Sequence, residues 1–378
     1  MMLRKFFGLI AATLFVATLP ASVSAQDVSL PVWSELPAGQ WTRIRPGGDT
    51  LCSNGDPYSF FVRPADQPSE DLLIHFQGGG ACWFGENCDL ASEPTYDPSV
   101  GAGDNPRRSP AGIFDFENSS NPFQNYNAVM VPYCTGDVHI GNVDRTYTVN
   151  EGEDDAHEVT IHHRGFVNAM TVLDWTFTNI ENPDTVFVTG CSAGSIPSPL
   201  YTQFVAEAYP NAHIEQLGDA AGGYRNQELA NVVFEAWGTQ GILPENYAEI
   251  PIDELNFEAF YRQSTTLLPD ITFTQYNAAN DLVQQMFLIL GGMSDVNLHE
   301  LLQANFADIE AGDSDNFFSF TAGGDGHCVT VTPEFYTVAV NGMPFVEWVR
   351  ALAADEPVET VSCTDCDTLE TIETTAGE

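Results

Sequence analysis

Basic residues are nearly absent from this chain. Of its 378 residues, 12 are Lys or Arg against 53 Asp or Glu, and the single lysine, Lys5, falls within the first 25. From Gln26 onward ten arginines face all 53 acids, a formal charge of −43. Such a surface should repel nucleic acid and anionic membranes, which argues against partners of either kind. It suits solvation in a salty medium, where a Debye length of roughly 3–8 Å screens self-repulsion.

A membrane-length apolar run is also lacking. The stretch from Phe6 to Leu19 is shorter than the ~18 residues a span needs. Arg4 and Lys5 precede it, and Pro20 and Val23-Ser24-Ala25 follow. The pattern reads as an export leader over residues 1–25 with a small-residue cleavage site. No internal repeat is found. Cys363-x-x-Cys366 has no second ligand pair nearby, which favours a staple or a frayed end over zinc. Eight cysteines in an exported chain suggest disulfides, and eight allow 105 pairings. Spacing offers Cys82 with Cys88, and turn signals offer Cys52 with Cys134.

The remaining chain has core material in quantity, with 43% hydrophobic and 11% aromatic residues. Short β-rich runs recur at 72–76, 128–133, 185–189, 214–217, 271–275 and 317–320. Several are apolar on both faces, as strands buried within a sheet are. Helical patterns lie between them at 165–180, 200–209 and 282–290. This alternation predicts an α/β fold with a mainly parallel sheet flanked by helices. Residues 89–127 and 140–160, rich in Gly, Pro, Asn and Asp, read as long loops over the strand ends. The domain is expected to span 26–362, with 363–378 a disordered acidic tail.

Gly190-Cys191-Ser192-Ala193-Gly194 matches G-x-S-x-G, with a strand before it and helix-compatible sequence after it. A serine on a strained strand-to-helix turn needs glycines on both sides so that backbone can approach closely. Packing filler is the competing reading, weakened by that context. An elbow also needs oxyanion donors, one from Ala193 and others from an earlier glycine loop. LLIHFQGGGACW, an apolar strand running into Gly78-Gly79-Gly80, supplies one.

A base is then required. The chain order Ser, acid, His leaves His213, His299 and His327. His213 opens a core strand and His299 lies on a helix surface, whereas His327 sits in a glycine-rich loop directly after a strand. For the carboxylate, Asp281 begins a helix after the strand at 271–275; Asp295 and Asp325 are rivals. The group His157, His162 and His163 reads as a solvated loop edge. Asp137 and Asp219 read as structural caps at strand ends, with Arg225 a potential partner for either.

Together these blocks resemble the pectin acetylesterases and the Notum-type carboxylesterases. The resemblance rests on QGGGAC with its nearby ENC, YCTGD, GCSAGS, NAANDLVQ and GHC, across roughly 41–349. It implies an α/β-hydrolase-like fold, Ser192 as nucleophile, Asp281 as acid and His327 as base. It places the oxyanion donors on Gly79, Gly80 and Ala193. It further implies hydrolysis of O-acyl esters, O-acetyl groups on polysaccharide first, with no metal or organic cofactor. A general short-chain carboxylesterase, a deacylase of lipid-modified protein and a non-catalytic exported binding protein are the alternatives. Two departures, Ser195 in place of a second glycine and Gly80-Ala81 before Trp83, fall where the family's acyl pocket lies. Export to periplasm or medium follows from the leader.

Overall fold

Runs that are apolar on both faces end up with helices on both sides. The computed structural model describes residues 30–251, 253–312 and 315–372, so the expected leader lies outside the described residues. The strands are β1 (Thr42–Ile44), β2 (Phe60–Arg63), β3 (Asp71–Phe76), β4 (Asn127–Val131), β5 (Val143–Val149), β6 (His157–His163) and β7 (Thr185–Cys191). They continue as β8 (His213–Asp219), β9 (Thr272–Ala278), β10 (Phe317–Ala322), β11 (Val338–Val340), β12 (Met343–Pro344), β13 (Val361–Ser362) and β14 (Glu370–Thr371). The helices are α1 (Gly85–Cys88), α2 (Gly165–Asn179), α3 (Ser198–Ala208), α4 (Gln227–Trp237), α5 (Glu258–Leu267), α6 (Leu282–Leu290), α7 (Leu298–Glu310) and α8 (Phe345–Ala353).

Nine strands form one sheet in the order β1-β2-β4-β3-β7-β8-β9-β10-β13. Only the β1–β2 and β2–β4 pairings are antiparallel. From β4 to β13 every neighbour is parallel, which points all those carboxyl ends the same way. This is the α/β-hydrolase-like sheet expected from the sequence. Strands β4 and β7 are buried almost throughout, because helices cover both faces. A ligand in such a sheet binds outside the carboxyl ends of the strands. The glycine loop follows β3, Ser192 follows β7, Asp281 follows β9 and His327 follows β10.

Two expectations are corrected. About half of residues 140–160 is strand and not loop: β5 and β6 pair antiparallel from Val143↔His163 to Val149↔His157. Their period-two Thr, Val and Ile were masked by the acidic turn between them. The segment from 363 to 372 is not a disordered tail. Cys363 and Cys366 are bridged, and β14 pairs antiparallel with β11. The Cys366 carbonyl accepts from Gly324 N at 3.0 Å and Asn280 Nδ2 at 2.9 Å, so the segment backs two site loops. Residues 373–378 lie outside the described residues.

Candidate active site

Ser192 occupies a sharp turn with φ of +50°, in the left-handed region that side chains other than glycine avoid. The two elbow glycines are sterically required. A Cβ on Gly190 would strike the Gly194 carbonyl, and one on Gly194 would strike the Phe76 carbonyl. Pro197 and Pro199 fall at the start of α3, where a missing N–H costs nothing. The glycine loop passes beside the serine: a Cβ on Gly78 would lie 2.6 Å from Cys191 O and 3.0 Å from Ser192 Cβ. Gly79 and Gly80 have φ of +148° and +84°, which turns their amides in a way a side chain would resist. Among the described residues, the amide of Gly79 donates to no backbone acceptor.

Asp281 is fully buried and caps α6. Its Oδ1 accepts from Val283 N at 2.9 Å and Gln284 N at 3.1 Å. Its Oδ2 accepts from Gln284 Nε2 at 3.0 Å and from His327 Nδ1 at 2.7 Å. The cap thus locks one oxygen and aims the other at the imidazole. The two loops are also zipped through their backbones, by Ala279 N to Ala322 O at 2.8 Å and Asn280 N to Gly324 O at 3.0 Å. Asp295 and Asp325 are exposed, which leaves them outside the row. Nor do the other histidines enter. His213 pairs with Glu215 at 3.0 Å, and His299 lies on α7.

No hydrogen bond joins Ser192 to the His327 ring here, as is common before substrate tightens such a row. What joins their neighbourhoods is covalent. Cys191, just before the serine, is bridged to Cys328, just after the histidine, with Cα atoms 5.5 Å apart. Both cysteines adjoin the candidate residues in GCSAG and GHC, and that adjacency was the signal available in the sequence. The pairs Cys52–Cys134 and Cys82–Cys88 form as the sequence suggested.

An apolar cleft of about 410 Å³, mouth included, opens at Ser192. Gly80, Ala81 and Trp83 line it from the glycine loop, and Phe287 from α6. Trp237, Leu229 and Val233 of α4 close it, with Tyr224 and Phe257. The α4 contribution was not read from the sequence, although QELANVVFEAW spaces Leu229, Val233 and Trp237 at helical intervals.

Other polar groups serve the frame. Burial raises the Asp219 carboxyl to about 6, opposed by hydrogen bonds from Thr330. Those bonds run from Thr330 N at 2.7 Å and Thr330 Oγ1 at 2.5 Å. Burial likewise raises Asp137 to about 6, against donors that include Thr135 Oγ1 and Gly165 N. Arg225 pairs with neither; its partners are Glu258 at 3.2 Å and Asp308 at 2.5 Å. His157, His162 and His163 each engage a different partner: Asp89, Asp144, and Thr135 O with Tyr147 OH.

Comparison with known proteins agrees with this frame. The solved structure of the Wnt deacylase Notum from Drosophila superposes with a TM-score of 0.58 over 84% of this chain and 93% of that one. At 15% identity that likeness speaks for the fold alone. Human palmitoleoyl-protein carboxylesterase NOTUM is 33% identical over 92 residues, 24% of this chain and 18% of that protein. Pectin acetylesterase 4 of Arabidopsis thaliana is 24% identical over 184 residues, 46% of this chain and 41% of that protein. A zebrafish relative, 28% identical over 105 residues, 28% of this chain and 75% of that protein, is described as an inactive palmitoleoyl-protein carboxylesterase. The family model for pectinacetylesterase matches residues 45–289, which takes in Gly79, Gly80, Ser192, Ala193 and Asp281 and stops short of His327. The chain belongs to the pectinacetylesterase family.

Proposed function

We propose that the chain is an exported serine esterase that cleaves short O-acyl esters, O-acetyl groups on polysaccharide foremost. The observation that carries this is the buried Asp281 carboxylate bonded to His327, on a loop tied beside Ser192 at the mouth of an apolar cleft. Ser192 Oγ attacks the ester carbonyl while His327 Nε2 takes its proton. Asp281 holds the Nδ1–H tautomer and stabilises the imidazolium. The amides of Gly79, Gly80 and Ala193 stabilise the oxyanion, each worth about 3 kcal/mol. His327 then protonates the leaving alcohol, and water releases the acyl group by the same route. No step calls on a metal or an organic cofactor.

Trp83, Trp237, Phe257 and Phe287 crowd the cleft, which favours a small acyl group. Rates on p-nitrophenyl esters should fall as the chain lengthens from acetate to octanoate. A rise with length instead favours the deacylase reading that the Notum relatives bring. The −43 surface opposes a polyanionic substrate, so any activity on acetylated pectin should rise with salt more than that on acetylated xylan. Four disulfides fit an oxidising compartment, and no helix among the described residues is long and apolar enough to cross a membrane. The non-catalytic reading is disfavoured, because the nucleophile, the base and the acid positions are all occupied. Ser192→Ala should abolish p-nitrophenyl acetate turnover with the melting temperature preserved; full turnover in that variant removes the assignment.

A further inference from the structure

The mechanism above gives Cys191 and Cys328 no part, yet among the described residues their bridge alone adjoins both the candidate nucleophile and the candidate base. Their bridge spans 137 residues of sequence and lands one residue from the nucleophile and one from the base. The backbone on each side is unusual. Ser192 has φ of +50° and Cys328 φ of +61°, both left-handed without being glycine. Strained backbone of this kind persists only where its surroundings over-determine it. The loop before the bridge is the reverse: Gly323, Gly324 and Gly326 surround Asp325, and the histidine's one side-chain hold is Asp281. Beyond the bridge, Asp219 at the end of β8 accepts both Thr330 N and Thr330 Oγ1. The bridge itself is buried against Ala220 and Val331.

Resting on the esterase reading, we propose that Cys191 and Cys328 are positioning residues: their bridge sets the separation and facing of Ser192 Oγ and His327 Nε2. Backbone bonds at Gly324 and Asp325 anchor the start of this loop, but past Gly326 the imidazole has one side-chain hydrogen bond and can swing by an ångström. A misplacement of that size costs roughly a hundredfold in rate. The bridge fixes the residue after the histidine to the end of the strand that presents the serine, which removes that freedom. A staple that only stabilises the fold would have no reason to act on turnover.

The test compares two double variants on p-nitrophenyl acetate, both well below their melting temperatures. C191A/C328A should lose kcat by roughly 10- to 100-fold with KM within about twofold. C52A/C134A removes another fully buried bridge, one spanning 82 residues, and should melt earlier while keeping kcat. Equal loss of kcat in both variants, or wild-type kcat in folded C191A/C328A, overturns the proposal. If C191A/C328A does not fold, the single variant Cys328→Ala, secreted and assayed the same way, should show the same kcat loss; wild-type kcat there is equally contrary. Turnover by Ser192→Ala would remove the esterase reading as well. An inactive Ser192→Ala beside a fully active bridge variant removes the positioning role alone.

Discussion

At the scale of the residue, Asp281 does two things that a substitution can separate. It caps α6 through Oδ1 and holds His327 through Oδ2. Asparagine keeps the Oδ1 cap about as well as aspartate, but its amide then faces the Gln284 and His327 donors. Asp281→Asn should therefore lose about 1–3 kcal/mol while still folding. Its amide nitrogen then faces an imidazole N–H, or forces the other tautomer. We expect kcat for p-nitrophenyl acetate to fall by about 10⁴ in a variant that remains folded at the assay temperature. Asp281→Ala should lose the cap too, about 1 kcal/mol more in a denaturant titration. A kcat for Asp281→Asn near wild type would place the carboxylate outside the reaction. Asp281 was legible in the sequence because a helix start directly after a strand marks a carboxyl end of the sheet. Gln284, which binds both Asp281 and Gly223, was not, since its role depends on what folding brings beside it.

At the scale of the element, the turn from β7 into α3 leaves no room for a side chain at either flanking glycine. A Cβ on Gly194 would meet the carbonyl of Phe76, part of a neighbouring central strand that cannot yield. Gly194→Ala should therefore destabilise by about 3 kcal/mol or more, read as a lower midpoint in urea. An unchanged midpoint contradicts the elbow geometry. The central strands were legible because burial on both faces leaves an unbroken apolar run, as in TVFVT of β7. Strands at the periphery were not. β1 and β2 are short, β5 and β6 alternate with solvent on one side, and β14 is two exposed residues held by pairing with β11. Local composition carries no mark of a partner that distant. The same reason hid the Cys191–Cys328 pairing, in which 137 residues separate the two sulfurs.

At the scale of the whole molecule, buried titratable groups set the acid limit. Burial lowers His75 and His163 to about 3 and His139 to about 4, against an ordinary value of 6.5. The unfolded chain takes those three protons first, so their contribution is full above pH 6.5 and is lost as pH falls below it. Asp137 and Asp219 act oppositely: held at about 6 instead of 3.8, they cost stability as pH rises from about 4 through 6. Glu215, Glu258, His157 and His213 are raised too and act with the two aspartates. The three fully buried imidazoles carry the larger shifts, so the melting temperature should drop between pH 7 and pH 5. A flat or rising melting temperature across that window contradicts the buried, neutral imidazoles. The exterior adds a separate term: 53 acids against 12 bases repel one another, and stability should rise with salt until screening is complete. The central claim, though, concerns three side chains from three strand ends meeting at one cleft. Its most direct measurement is the site and rate of fluorophosphonate labelling, mapped by mass spectrometry on the wild type and on His327→Ala. The account predicts one adduct, on Ser192, formed at least about 10³-fold more slowly without the imidazole. An unlabelled wild type, an adduct on another residue, or equal rates in the two proteins would contradict it.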